Sequence, residues 1–149
     1  MAGPRRRVLA ALAVLTLVAA CGDPVVPPTP TEIEPFVGLW DAEVFAVTSD
    51  EDTTVVADLM VNGDFTINIE PSGTYTATLT FGGIPIPEIG QLSVGNGFIT
   101  LRPNGGDPAT SAYVFQGPDY LVLDGPTEFD FNQDLIPDPA QAHIEIRRR

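Results

Sequence analysis

The side chains that could carry out chemistry are few in this chain of 149 residues. It contains one histidine, His143, one cysteine, Cys21, and no lysine. Nucleophilic catalysis needs a base beside the nucleophile, so a serine triad would have to use His143, and no Gly-x-Ser-x-Gly turn is present. A phosphate-binding loop that ends in lysine is also excluded. We therefore expect a protein that is not an enzyme, with His143 exposed on a strand surface.

One acidic segment has the spacing of a calcium-binding loop. Asp130, Asn132, Asp134 and Asp138 stand at its first, third, fifth and ninth positions. Oxygen ligands at this spacing are what calcium coordination requires, although the sixth position is Leu135 where the sharp turn favours glycine. Two interpretations stay open: a weak calcium site, or a solvated acidic turn in a protein without a cofactor.

The charge balance excludes one large class of partners. The net charge is −13, and three of the seven arginines lie within residues 1–20, which hold no acidic side chain. The remaining chain carries 20 carboxylates against four arginines, a net charge of −16. A surface this acidic repels phosphate backbones, so nucleic acid is not an expected partner.

The N-terminus has the features of an export signal that ends in a lipid attachment site. A cationic opening, Met1–Arg7, precedes an apolar run of thirteen residues, Val8–Ala20, in which Thr16 is the single polar residue and which is too short to span a bilayer of about 30 Å. The run ends in LVAAC, which resembles the lipobox of bacterial lipoproteins. The resemblance implies that residues 1–20 are a lipoprotein signal peptide and that Cys21 carries the lipid. An ordinary signal peptide followed by a free cysteine is the alternative.

A proline-rich segment follows the cysteine. Residues 21–35 contain five of the fifteen prolines, which favours an extended spacer at about 3.1 Å per residue. We expect a tether that separates a membrane anchor at Cys21 from a folded domain. Gly22 stands where aspartate favours inner-membrane retention in some bacteria, so the resemblance implies an envelope protein of the outer rather than the inner membrane.

Beyond the tether, residues 36–149 alternate between apolar and polar side chains with a period of two. Phe65, Ile67 and Ile69, for example, alternate with polar neighbours, which indicates strands with one buried face. Turn sequences such as Asn62-Gly63 separate the apolar runs. We predict strands near residues 38–48, 54–61, 64–70, 74–81, 89–94, 97–102, 110–116, 119–124, 127–131 and 140–147. The predicted fold class is all-β: a single antiparallel up-and-down barrel of about eight to ten strands, with an open β-sandwich as the alternative.

The first and last predicted strands resemble those of lipocalins. Gly38-Leu39-Trp40 opens the first strand as Gly-x-Trp does in that family, and the chain ends in a basic segment. In lipocalins an arginine near the last strand packs over this tryptophan and closes one end of the barrel. Arg148 shares the parity of the apolar residues before it, so the resemblance implies that Gly38, Trp40 and Arg148 form the closure.

The alternation also assigns side chains to the barrel interior. Sixteen residues are predicted to point inward: Trp40, Ala42, Val44, Phe65, Ile67, Ile69, Tyr75, Ala77, Leu79, Phe98, Tyr113, Phe115, Leu121, Leu123, Ile144 and Ile146. The small residues Ala42 and Ala77 leave room for a cavity, or fit a tapered, filled core. Pro85 and Pro87 place Ile84 and Ile86 on a loop or at a sheet edge, because proline does not donate to a sheet ladder.

Two functions follow from these observations. In the first, a membrane-tethered, lipocalin-like barrel binds a small apolar or amphipathic molecule. In the second, the barrel is filled, and its outer face or residues 82–88 dock on another envelope protein. A cavity of about 300 Å³ or more with an open mouth would favour the first function.

Overall fold

A computed structural model describes residues 30–149, and about two thirds of them lie in β-strands. The predicted signal peptide, Cys21 and most of the predicted tether lie outside the described residues. The elements are α1 (Pro30–Ile33), a 3₁₀ turn (Glu34–Phe36), β1 (Gly38–Ser49), β2 (Val56–Asp58), β3 (Gly63–Ile69), β4 (Thr74–Phe81), β5 (Ile84–Gly95), β6 (Phe98–Pro103), β7 (Ala109–Gly117), β8 (Tyr120–Phe129) and β9 (Asp138–Arg148). No helix within the described range has the length and apolarity needed to cross a membrane.

Eight of these strands form a closed antiparallel barrel. β1 and then β3 to β9 each pair with the next strand in this order, and β9 pairs back with β1 from Trp40↔Arg148 to Ser49↔Ala140. The ninth strand, β2, pairs with the last part of β1, beyond the residues of β1 that pair with β3. The predicted all-β barrel is confirmed, and the sheet is not an open sandwich.

Of the two predicted places for Ile84 and Ile86, a loop or a sheet edge, the structure shows the edge. The predicted strand start near residue 89 is wrong, because β5 begins at Ile84 and pairs with β4 along its whole first half. The carbonyl of Ile89 accepts from Asn104 on the β6 side of the strand, so the backbone of odd-numbered residues faces that side. β6 pairs with β5 only from Gly90 onward. Pro85 and Pro87 therefore turn their missing N–H groups toward a side that has no neighbouring strand.

The predicted break between strands 119–124 and 127–131 is also wrong. Gly125 and Pro126, interpreted as a turn, lie within the single strand β8, which pairs with β9 as far as Phe129. β7 pairs with β8 only up to Asp124, so the missing N–H of Pro126 again faces an unpaired side. Gly125 is required for a different reason, because a Cβ there would lie 2.7 Å from the carbonyl oxygen of Thr110.

Two of the inward assignments are corrected. A β-bulge between Ala42 and Val44 adds a residue to β1, so Val44 lies opposite Glu145 on the outer face, and Phe45 turns inward. Phe98 is 50% exposed, and its neighbour Ile99 is buried in its place. Both β6 faces carry apolar residues, which made the parity of that strand ambiguous in the sequence.

The larger hydrophobic core fills the end of the barrel where β1 begins and β9 ends, which we call the closed end. Ile33 and Phe36 are both buried there, so the packed domain begins three residues before the predicted boundary at residue 36. The Phe36 ring lies 5.0 Å from the rings of Tyr113 and Phe115. Its carbonyl accepts a 2.8 Å hydrogen bond from Trp40 Nε1. The short helical segment is therefore a plug.

The three predicted closure residues lie together at this end. The guanidinium carbon of Arg148 lies 4.3 Å from the centroid of the fully buried Trp40 ring. Arg148 also donates to the carbonyls of Val37, of Pro35 at 2.7 Å and of Pro118 at 3.2 Å. Gly38 has a φ of +134°, and a Cβ there would lie 3.2 Å from Arg148 Nη1. The glycine is needed both for its backbone conformation and for the space that Arg148 occupies.

We expect Arg148→Ala to destabilise the barrel clearly more than Arg147→Ala. The first change removes a buried cation–π contact and three hydrogen bonds, about 2 kcal/mol or more of unfolding free energy. Arg147 makes an exposed ion pair with Glu43, for which about 1 kcal/mol or less is expected. Urea unfolding of both variants measures the difference, and equal losses would contradict the assigned closure.

Candidate functional site

A cavity of about 360 Å³ lies inside the barrel, between the larger core and a smaller core at the opposite end. The smaller core is centred on Val47, Leu59 and Ala140. Apolar side chains from strands all around the barrel line the cavity, among them Phe45, Ile67, Leu79, Leu121 and Ile144. Its volume falls within the range typical of sites for small ligands, and such sites are likewise lined mainly by apolar side chains.

Small side chains explain why this part of the barrel is not filled. Ala77 on β4 and Ala142 on β9 both line the cavity. The other small residue singled out in the sequence, Ala42, packs against the larger core instead. The bulge in β1 lies directly after Ala42 and turns Phe45 toward the cavity, so the two halves of β1 serve different ends of the barrel.

The cavity lies behind a gap in the pairing of the barrel wall. The β6–β7 hairpin spans residues 98–117 and ends short of its neighbours, because β5 continues over residues 84–88 and β8 over residues 125–129 without a backbone partner on the side of the hairpin. Ile86, Pro87, Pro126 and Thr127 from these two unpaired edges line the cavity. We call this end of the barrel the mouth.

Few polar groups line the cavity, and one of them is charged. Ser111 and Thr127 contribute hydroxyl groups, and Glu88 contributes the one carboxylate. The hydroxyl of Tyr75 donates a 2.5 Å hydrogen bond to Glu88 Oε1. Burial is the main cause, and this hydrogen bond the second, that raises the pKa of Tyr75 well above its usual range, so the phenol keeps its proton. Gly90 allows this arrangement, because a Cβ there would lie 2.8 Å from Tyr75 Cε1.

Sequence reasoning missed Glu88 because the strand was predicted to begin at residue 89, with the segment before it placed on a loop or a sheet edge. A signal was present in the parity of the segment, since Ile84, Ile86 and Glu88 continue the even-numbered series that reaches the buried Leu92. A period of two that runs through prolines indicates an edge strand rather than a loop when the prolines share one parity.

The predicted calcium loop is held by its own backbone. Asp130 Oδ1 accepts from the amide of Asp134, and Asp130 Oδ2 accepts from the amide of Leu135 at 2.9 Å. Asn132 and Asp134 accept from backbone amides in the same way. β9 has already begun at Asp138. Among the described residues, no three acidic, histidine or cysteine side chains form a group suited to a metal, and calcium at this loop stays a prediction.

His143 lies in a polar network on the outer face of the barrel. Its Nδ1 is 2.6 Å from Asp124 Oδ1, and its Nε2 is 3.1 Å from Glu145 Oε1. The hydroxyl of Tyr120 donates to Glu145, and the guanidinium of Arg147 lies 5.0 Å from the Tyr120 ring centroid. Both imidazole nitrogens are thus engaged by carboxylates, which leaves neither free to accept a proton from a nucleophile.

A second, shallow groove of about 420 Å³ runs over the closed end, lined by Pro35, Phe115, Gly117, Pro118 and Arg148. Its arginine already donates to backbone carbonyls and stacks on Trp40. The groove is open to solvent and follows from the way the plug meets the barrel rim. The cavity inside the barrel, which is less open than this groove, is therefore the candidate functional site.

No protein-family model matches this chain, and the search of curated proteins found no significant relative. The fold class therefore rests on the structure itself, which shows a closed antiparallel barrel with one additional strand. The functional interpretation depends on the geometry of the cavity and on the sequence.

His143 makes the stability of the barrel depend on pH. The hydrogen bond to Asp124 has the largest effect on the pKa of His143 and raises it, and the bond to Glu145 raises it further. The folded state therefore holds the imidazole proton more tightly than the unfolded state. This contribution is complete below the unfolded pKa of about 6.5 and is lost as the pH rises through the higher folded value.

We expect His143→Gln to lose part of the stability that the native protein gains between pH 8 and pH 6. The imidazole is 43% exposed, so the difference should be about 1 kcal/mol or less. Thermal unfolding of both proteins across this range checks the sign, and the comparison cancels the general effect of the acidic surface. An identical pH dependence in the two proteins would show that the network does not bind the proton.

Proposed function

We propose that this protein is a membrane-tethered, non-catalytic lipoprotein of the bacterial cell envelope whose barrel binds a small apolar or amphipathic molecule. The observation that carries the proposal is the apolar cavity of about 360 Å³ inside the barrel. A filled barrel of this size has a continuous core from end to end, whereas this one has two separate cores with the cavity between them. Room is left where Ala77 and Ala142 stand.

The chemistry of the cavity supports binding rather than catalysis. Its hydroxyl groups belong to Ser111 and Thr127, and no imidazole lines it, because the single histidine lies in the outer network. A nucleophile without a neighbouring base is not activated. Burial of an apolar ligand in such a site contributes about 25 cal/mol for each Å² removed from water.

The position of the N-terminal plug supports a tether that leaves the mouth free. The chain enters the larger core at Ile33 and Phe36, at the closed end. A lipid on Cys21 would therefore hold the domain by the end opposite the mouth. The fold thus keeps the attachment point and the binding site apart, as a tethered carrier or receptor of small molecules requires.

A second candidate function is docking on another envelope protein, and the surface of the mouth favours it. Eight of the eleven exposed large apolar side chains lie in the segments at this end: Val55, Val56, Val61, Phe81, Ile84, Ile86, Leu135 and Ile136. Leu135 is 91% exposed at the tip of the β8–β9 loop. Clustered exposed apolar residues mark interaction sites more often than isolated ones do.

We expect Cys21→Ser to remove the membrane anchor. Acyl chains on a terminal cysteine hold a protein on a bilayer at about 0.8 kcal/mol per buried methylene, and serine cannot form the thioether. The native protein should sediment with membranes and dissolve in detergent, whereas the variant should be soluble or remain unprocessed. Normal membrane attachment of the variant would contradict the lipid assignment.

We expect Ala77→Phe to abolish ligand uptake by filling the cavity. Binding is measured by the fluorescence of phenylnaphthylamine, an apolar dye, added to the mature chain (residues 21–149) carrying Cys21→Ser. Ala112→Phe adds the same ring to the exposed side of β7 and is the matched control. Ala142→Phe fills the cavity from the opposite wall and provides a second test if Ala77→Phe fails to fold.

The two functions give different results in this experiment. If the native chain and Ala112→Phe take up dye and the folded filling variants do not, the cavity is the binding site. Equal fluorescence in all the folded variants would mean that the dye binds at the exposed apolar residues of the mouth. Ligand binding in the barrel would then be contradicted, and docking would be the better account.

A further inference from the structure

We propose that the ligand carries a cationic or protonated amine group, which pairs with Glu88 while its apolar part occupies the cavity. This inference rests on the proposed function and specifies the chemistry of the same site. Glu88 is exposed on the half of β5 that has no partner on the β6 side, and it lines the cavity as its single charged side chain. A ligand that enters with its apolar part first would leave its polar end beside this carboxylate.

None of the four arginines among the described residues lines the cavity. Arg147 pairs with Glu43 and Arg149 with Asp41, both on the outer surface, and Arg148 is used in the closure. Arg102 lies on β6 opposite Gln91 of β5, and it is exposed next to Leu101, which does line the cavity. An anionic ligand such as a fatty acid would therefore find no positive partner at this site.

The carboxylate of Glu88 is oriented for a donor. Tyr75, which is fully buried, donates to Oε1 and holds the side chain against the wall of the cavity. Oε2 has no hydrogen-bond partner among the described residues and is free to accept from a ligand. A charge-assisted hydrogen bond from an ammonium group is about twice as strong as one between neutral groups.

The charge of the whole chain acts in the same direction. The chain beyond residue 20 carries a net charge of −16, which creates a negative potential around the protein. Screening limits the reach of this potential to about 10 Å at 0.1 M salt. The potential attracts cations to the molecule but does not select a site. Selection requires a carboxylate beside the apolar cavity, and Glu88 provides it.

The experiment compares three probes with the same chain and different ends: decylamine, which is protonated at neutral pH, decanol and decanoate. The affinity of each probe is measured by its displacement of phenylnaphthylamine from the mature chain carrying Cys21→Ser. We expect decylamine to bind about five-fold or more tightly than decanol, and decanoate to bind most weakly, since a partly exposed ion pair has an effect of this order.

Glu88→Gln should remove the preference for the amine over the alcohol while decanol still binds. Glu128→Gln is the matched control, because it removes the same charge from the exposed part of β8 near the mouth without touching the cavity wall. The control should keep the full preference. A preference lost equally in both variants would assign the effect to the general negative potential and overturn the role of Glu88.

The outcomes separate this inference from the proposed function. If decanol and decylamine displace the dye equally well from the native chain, the barrel binds apolar ligands and the inference about the amine is wrong. If no probe displaces the dye and the filling variants do not change dye uptake, the proposed function itself is contradicted. Tighter binding of decanoate than of decanol would also overturn the inference.

Discussion

The pairing of β1 with β9 is the constraint on which the rest of the structure depends. It turns an eight-stranded sheet into a barrel, and its register places Arg148 opposite Trp40 at the closed end. Once that pair is fixed, the period of two decides which side chains of β9 face inward, and Ile144 and Ile146 become cavity wall. The bulge after Ala42 is the one interruption, and it brings Phe45 to the same interior.

The closed end and the mouth have opposite properties because of how their strands end. At the closed end, Trp40 and Arg148 donate to the Phe36 and Pro35 carbonyls of the plug, and the Trp40 ring is fully buried. At the mouth the β6–β7 hairpin is shorter than the strands on either side of it. Pro85, Pro87 and Pro126 protect these unpaired edges, because an edge without N–H donors is a poor template for another strand.

Much of the barrel could be predicted from alternation alone, and the failures have identifiable causes. Phe65, Ile67 and Ile69 face inward as their spacing predicts, because nothing interrupts β3. Val44 was assigned to the wrong face because a bulge leaves no mark in the sequence pattern. Glu88 was missed because Pro85 and Pro87 left a loop and a sheet edge equally open, and the strand was predicted to begin only at residue 89. Whether Ala77 borders a cavity depends on packing across the barrel, which spacing along one strand cannot reveal.

The central claim is that the barrel holds a small apolar or amphipathic molecule, and native mass spectrometry of the protein purified from its own membranes tests it most directly. After removal of the acyl anchor, the account predicts a population whose mass exceeds that of the bare chain by a small molecule. That molecule should be released on unfolding and should carry an apolar chain that fits about 360 Å³. A bare chain that also takes up nothing from an extract of those membranes would contradict the account.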